Sequence, residues 1–166
     1  MPDVRGQRPV PAFDICRPAS DVCHLICIPP DRAALVWPHV RTLILAAMRR
    51  GDLSGFRPVE SSVLSGEALL WLAVTREDGI EAAAVTELQK TEWRKVCVVV
   101  ACGAPSGRRL PSSPALGPPQ WVRLLDGIEA YAKAAGCSAV RIMGRKGWAR
   151  VLASYRAKRI ILEKDL

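Results

Sequence analysis

Residues 68–101, ALLWLAVTREDGIEAAAVTELQKTEWRKVCVVVA, contain three apolar runs separated by two turn sequences. Ala68–Thr75 reads as a strongly apolar strand. Arg76-Glu77-Asp78-Gly79 follows, with Asp-Gly as the local hairpin signal. Ile80–Gln89 is the returning strand, and Lys90-Thr91-Glu92 is a second turn. Trp93–Ala101 is a third strand, apolar enough at its end to be central in a sheet. Strands at 68–75, 80–89 and 93–101 therefore make an antiparallel meander.

Upstream, Val22–Ile28 is a short apolar run stopped by Pro29-Pro30, which predicts a strand. Asp31 then opens a stretch in which Leu35, Val36, His39, Val40, Leu43, Ile44, Ala47 and Met48 recur at helical spacing. Pro38 is expected to kink that helix or to end a short first segment. Arg49-Arg50-Gly51 closes it, with cations at the negative end and then glycine. Val59–Leu64 predicts a short helix that Ser65-Gly66 breaks. Downstream, Cys102–Pro119 is a long irregular loop. Gln120–Ala135 predicts a helix with Val122, Leu125, Ile128, Glu129 and Ala132 on one side and Gly136 as its cap. Ser138–Met143 is a strand, Gly147–Ala153 a short helix and Arg159–Leu162 a final strand. The order gives an α+β fold, a mixed and mainly antiparallel sheet flanked by helices. Residues 1–21, rich in proline and arginine, read as a flexible N-terminal arm, and residues 22–166 as one domain.

The 166 residues suffice for one domain, and 49% apolar with 24% charged residues is an ordinary globular composition. No apolar run reaches the roughly 18 residues that span a bilayer. The first residues lack the apolar core of a signal peptide, so export by that route and a membrane partner are not expected. Cys16, Cys23, His24 and Cys27 match no common zinc spacing, so no metal site is expected. The cysteines read instead as small apolar groups. His24 and His39, each alone among apolar residues, read as structural. Trp37 and Trp71 read as core, whereas Trp93, Trp121 and Trp148 stand at element starts, at the edge of the core or on a partner surface.

Net charge is +8, and residues 141–166 hold eight Lys or Arg against two acids. Arg141, Arg145, Lys146 and Arg150 form a candidate anion-binding patch. Its partner would be a nucleotide cofactor, nucleic acid or an acidic surface, and a merely solvated basic face stays open beside these.

The C-terminal third, AAGCSAVRIMGRKGWARVLASYRAKRIILEKDL, resembles the GNAT N-acetyltransferase superfamily. Gly136 after a long helix, the strand at 139–143, the short helix at 147–153, Tyr155 and the RIILEKDL tail carry the resemblance, which extends over residues 22–166. The segments ICIPPDRAALVWPHV, EAAAVTELQ, KVCVVVACG and GRKGWARVL are similar to small acetyltransferase-like proteins of bacteriophages and prophages. One fold serves several functions.

The resemblance implies acetyl-CoA as cofactor, held by a splayed central strand and by backbone N–H groups at a helix start. It also implies a general base for the amine and a proton donor for the thiolate. Val100, Ala101, Gly103, Gly107, Arg108 and Arg109 are the candidate cofactor residues. The sequence departs from the family here: CGAPSGRRLPSSPALGPP lacks the family's glycine spacing. Pro105, Pro111 and Pro114 also lack the N–H groups of a phosphate cradle. Glu87 is the candidate base, with Glu81 the weaker choice. Tyr155 is the candidate proton donor but reads first as a packing residue; the family's donor position falls near Arg150. The altered loop leads to the expectation of a non-catalytic structural or binding module, virion-associated or host-interacting. Its partner would be a phage structural protein, a host protein or nucleic acid, in the bacterial cytoplasm or a virion. The alternative is an active N-acetyltransferase with a divergent cofactor loop.

Overall fold

The structure, a computed structural model, describes residues 24–51, 58–75, 79–105, 120–143, 148 and 152–157, the side chains of 50, 51 and 120–123 apart. The element order among these is β1 (His24–Ile28), α1 (Pro30–Gly51), α2 (Val59–Leu64), β2 (Ala68–Thr75), β3 (Gly79–Lys90), β4 (Lys95–Gly103), α3 (Gln120–Ala134) and β5 (Ala139–Ile142). The strands form one sheet in the order β1-β2-β3-β4-β5. Its first three pairings are antiparallel, and β4 with β5 is parallel. The α+β architecture expected from the meander and its flanking helices is the one observed. The expected arm at 1–21, the helix at 147–153 except Trp148, Leu152 and Ala153, and the final strand at 159–162 lie outside the described residues.

Strand alternation sorts the core into two layers. Leu70, Leu72, Ala83, Val85 and Ala101 face α1 and α2, packing on Trp37, Val40, Ile44, Val59 and Val63. Trp71, Ala82, Ala84, Cys97 and Val99 face α3, packing on Leu124, Leu125, Ile128 and Tyr131. Each fully buried large apolar side chain contributes about 1.5–3 kcal/mol, so both layers are substantial. On the α3 side Trp71 Nε1 donates to Thr86 Oγ1 at 2.9 Å, and the Trp71 ring meets Tyr131 edge-on at 5.2 Å.

The stripe that α1 buries matches its periodicity in part: Val40 and Ile44 are buried, and Val36 and Met48 pack against the core. Ala33, Trp37, Val40 and Ile44 are the buried positions, while Leu35 is 71% exposed and His39 is exposed. Apolar residues occupy most of the helix circumference, so spacing alone allowed either face, and the bulkier Trp37 sets it. Pro38 does not interrupt the helix. Both Pro38 and Ala34, whose carbonyl loses its donor, are exposed, so the unpaired group lies on the solvent side. Glu129 of α3 is likewise exposed rather than on the buried side with Leu125 and Ile128.

β4 begins at Lys95, two residues later than expected, and runs on to Gly103. The Thr91 hydroxyl donates to the Arg94 carbonyl and accepts from the Arg94 N–H, tying off the preceding turn. Trp93 rides on that turn, 88% exposed, and neither starts the strand nor covers the core. α3 ends in a Schellman motif. The N–H of Gly136 donates to the Lys133 carbonyl and that of Cys137 to the Ala132 carbonyl, with Gly136 at φ +76°. Lys95 Nζ donates to the Ala135 carbonyl at 2.9 Å, adding a cation at the helix's negative end.

Candidate functional site

β4 and β5 part company midway along β4. β5 has four residues and pairs with Val96–Val99 alone. The last contact is the Met143 N–H, which donates to the Val99 carbonyl at 3.2 Å. At that point β4 also breaks register with β3. Thr86 lies opposite Val99 and Val85 opposite Ala101, so Val100 is an extra residue and forms a β-bulge. Beyond it, Ala101, Cys102 and Gly103 pair with Val85, Ala84 and Ala83 on the β3 side. On the β5 side no strand among the described residues takes up their edge. Among the described residues, the peptide groups of Val100–Gly103 on that edge meet no strand partner, the geometry that an extended chain can complete.

The helix that follows is aligned with this opening. The Ser138 N–H donates to the Lys95 carbonyl, and the Lys95 side chain reaches Ala135. The end of α3 thus sits at the beginning of β4. α3 runs back against the strand, and its first turn points toward the end where β4 opens. Strand, helix and parallel strand make a β-α-β crossover unit, and in such units ligands sit at the carboxyl ends of the strands.

The expected cofactor residues divide accordingly. Val100, Ala101 and Gly103 are on the open segment. Val100 is half-buried, and Ala101 and Gly103 are buried. Gly107, Arg108 and Arg109 lie outside the described residues, as do Arg145, Lys146 and Arg150. Arg141 is on β5, half-buried and opposite Val98. Cys102, which sequence reasoning did not single out, is on the open segment too. Burial pushes its thiol up to about 12, so it is a neutral wall residue and not a nucleophile. The resemblance implied a splayed central strand, and the shorter β5, six residues in the sequence reading against nine for β4, is the local feature that agrees with it.

The two candidate catalytic residues are not brought together. Glu87, half-buried, lies between Ala68 and Val98 in the sheet. Strand alternation puts it on the same face as Val85, toward α1 and α2. Tyr155 packs on the α3 layer. Its hydroxyl donates to Glu129 Oε1 at 2.5 Å. Burial and the neighbouring Glu129 carboxylate hold the phenol proton on, well above its ordinary range. Tyr155 is thus a neutral donor whose proton is directed at α3. Glu81 accepts from the Thr75 hydroxyl at 3.5 Å, at a bulge near the β2–β3 turn. His24 is half-buried on β1.

Cys27 and Cys97 behave as the expected apolar thiols, each pushed up to about 11, chiefly by burial. Cys16 and Cys23 lie outside the described residues. Among the described residues no group of three or more His, Cys, Asp or Glu could hold a metal. No helix there is long and apolar enough to cross a membrane.

No protein-family model matches the chain, and no curated protein matches it by sequence. Solved structures do match. A tetramutant of the BH1408 protein from Bacillus halodurans aligns over 86% of this chain and 99% of its own, at 18% identity and TM-score 0.58. A GNAT family acetyltransferase of Staphylococcus aureus aligns over 86% of this chain and 98% of its own, at 14% identity and TM-score 0.53. An aminoglycoside acetyltransferase, HMB0005, from an uncultured soil metagenomic sample aligns over 87% and 97%, at 12% identity and TM-score 0.57. With a bulged central strand, a parallel partner that leaves it early and a helix returning between them, this chain has the GNAT acetyltransferase fold.

Proposed function

We infer that the chain is an acetyl-CoA-dependent N-acetyltransferase acting on an amine. The observation that carries this is the open β4 edge at Val100–Gly103, beside a parallel strand that ends at Ile142. An extended chain containing amides, such as the pantetheine arm, can complete that edge with main-chain hydrogen bonds. The first turn of α3 points toward the same end, where helix N–H groups favour phosphate. Arg108 and Arg109, with Gly107, are assigned to the phosphates on the sequence pattern alone. The cofactor supplies the acetyl group as a thioester. The chain's part is to hold it, exclude water and take the amine proton, and Glu87 is the carboxylate assigned to that last role. The acetyltransferase neighbours favour this activity over a non-catalytic module of a phage particle or host-interacting protein. That second reading draws on Pro105, Pro111 and Pro114, which cannot donate to a phosphate.

Calorimetric titration with acetyl-CoA, with CoA as control, tests the proposal. Binding with Kd on the order of micromolar supports it. No heat at millimolar ligand, from a folded sample, overturns it in favour of the binding module. That module would then be sought in purified particles and in DNA binding that weakens steeply with salt.

A further inference from the structure

We propose that Gly103 is a positioning residue, and that α1 sets where the open edge of β4 stands by resting its backbone on this glycine. The contact matters only if that edge holds acetyl-CoA, as proposed above. A Cβ at Gly103 would lie 2.4 Å from the Leu43 carbonyl oxygen and 2.9 Å from its carbonyl carbon, both backbone atoms of α1. Ordinary carbon–oxygen contact is roughly 1 Å longer, so helix and strand touch with no side chain between them. Neither Leu43 atom can move by rotating a side chain. Accommodating a Cβ requires one of the two elements to shift.

The strand is the element that yields. α1 is a 22-residue helix anchored through Trp37, Val40 and Ile44, all within 2% of full burial. Among the described residues, the Gly103 end of β4 is held by strand pairing on the β3 side only, because β5 has already ended opposite Val99. The segment displaced is therefore the one on whose β5 side no strand among the described residues pairs. Gly103 has no side chain to offer a cofactor; its role is to let the backbone of the binding edge stand where it does. It acts through the placement of the Val100–Gly103 backbone. Displacing a binding edge by about 1 Å is enough to cost tenfold or more in a positioned interaction.

Gly127 supplies the comparison. A Cβ there would meet Leu25 Cδ2 on the opposite face of the sheet, at the end of a flexible side chain and away from the β4 edge. The experiment measures acetyl-CoA affinity by calorimetry and thermal stability for wild type, Gly103→Ala and Gly127→Ala. The expected result is affinity at least about tenfold weaker for Gly103→Ala and within about twofold of wild type for Gly127→Ala, although both lower Tm. If Gly103→Ala fails to fold, Ala47→Leu takes its place. The Ala47 Cβ lies 3.4 Å from the same Cβ position, so a larger residue presses the same contact from the helix side. It too should weaken affinity. Wild-type binding with unchanged affinity in the Gly103→Ala variant, or in Ala47→Leu where that one is used, overturns the positioning role alone. Absence of wild-type binding overturns the proposed function and this role with it.

Discussion

Replacing Thr86 by valine should destabilise the protein by about 1–3 kcal/mol, although it adds apolar surface and opens no cavity. Thr86 is 1% exposed and Trp71 5% exposed, and the Trp71 Nε1–H donates to Thr86 Oγ1 at 2.9 Å between β2 and β3. Valine has nearly the shape of threonine but no acceptor, so the indole N–H is left buried without a partner. For a chain of this length each kcal/mol shifts Tm by about 2–4 °C, which places the expected fall near 5 °C. A double-mutant cycle separates this cause from a general packing effect. Trp71→Phe removes the donor and also the edge-on contact with Tyr131, at a loss of about 2–4 kcal/mol. In the Trp71→Phe background Thr86→Val should cost nothing further, giving a coupling of at least about 1 kcal/mol. Urea unfolding followed by far-ultraviolet circular dichroism measures all four proteins. A Thr86→Val loss below about 0.5 kcal/mol, or strictly additive losses, would refute the reasoning.

Three further outcomes are expected. Cys27 and Cys97 ionise near pH 9 when unfolded but at about 11 when folded, and Tyr131 is pushed from 10 to about 12. Between those values the unfolded chain binds fewer protons, so these groups' stabilisation is complete below about pH 9 and drains away above it. The urea midpoint should fall steadily from pH 9 to 11, and a flat midpoint there would contradict the buried thiols. Tyr155→Phe removes the hydrogen bond to Glu129 and should lower stability by about 1 kcal/mol, since the acceptor is solvent-exposed. Acetyl transfer by that variant should stay within about threefold of wild type, and a hundredfold loss would make Tyr155 the proton donor instead. Trp93→Ser should change stability by less than about 0.5 kcal/mol, because the side chain is 88% exposed; a larger loss in thermal melts would mean that it packs in solution.

Much of the fold was legible because local and tertiary signals agreed. Asp78-Gly79 between two apolar runs could hardly be anything but a hairpin, and β2 and α2 have the bounds that their composition suggests. Gly136 was readable as a helix stop, and it is the left-handed residue of the Schellman motif. Where several answers were locally equivalent, the sequence did not choose. α1 carries apolar residues on most of its surface; Trp37 was readable as core, but only packing shows that Leu35 lies outside. Trp93 resembles the first residue of a strand until the Thr91 side chain is seen closing the turn around it. The candidate site was the least legible part. The bulge at Val100 falls in KVCVVVACG, a run with no proline or interior glycine to mark it. Gly103 was noticed as a glycine near a cofactor loop, but its contact with the Leu43 carbonyl joins residues 60 positions apart and has no local signature. Glu87 and Tyr155 each fit a catalytic role by residue type. That they stand on opposite faces of the sheet follows only from strand alternation and the packing of α3.

The most direct test of the open β4 edge is amide hydrogen exchange with and without acetyl-CoA. Exchange should slow in peptides covering Val100–Gly103, with peptides from β1 and from α1 around Trp37 unchanged. Binding with protection confined to other segments, and none at Val100–Gly103, would contradict the assignment of the cofactor to this strand.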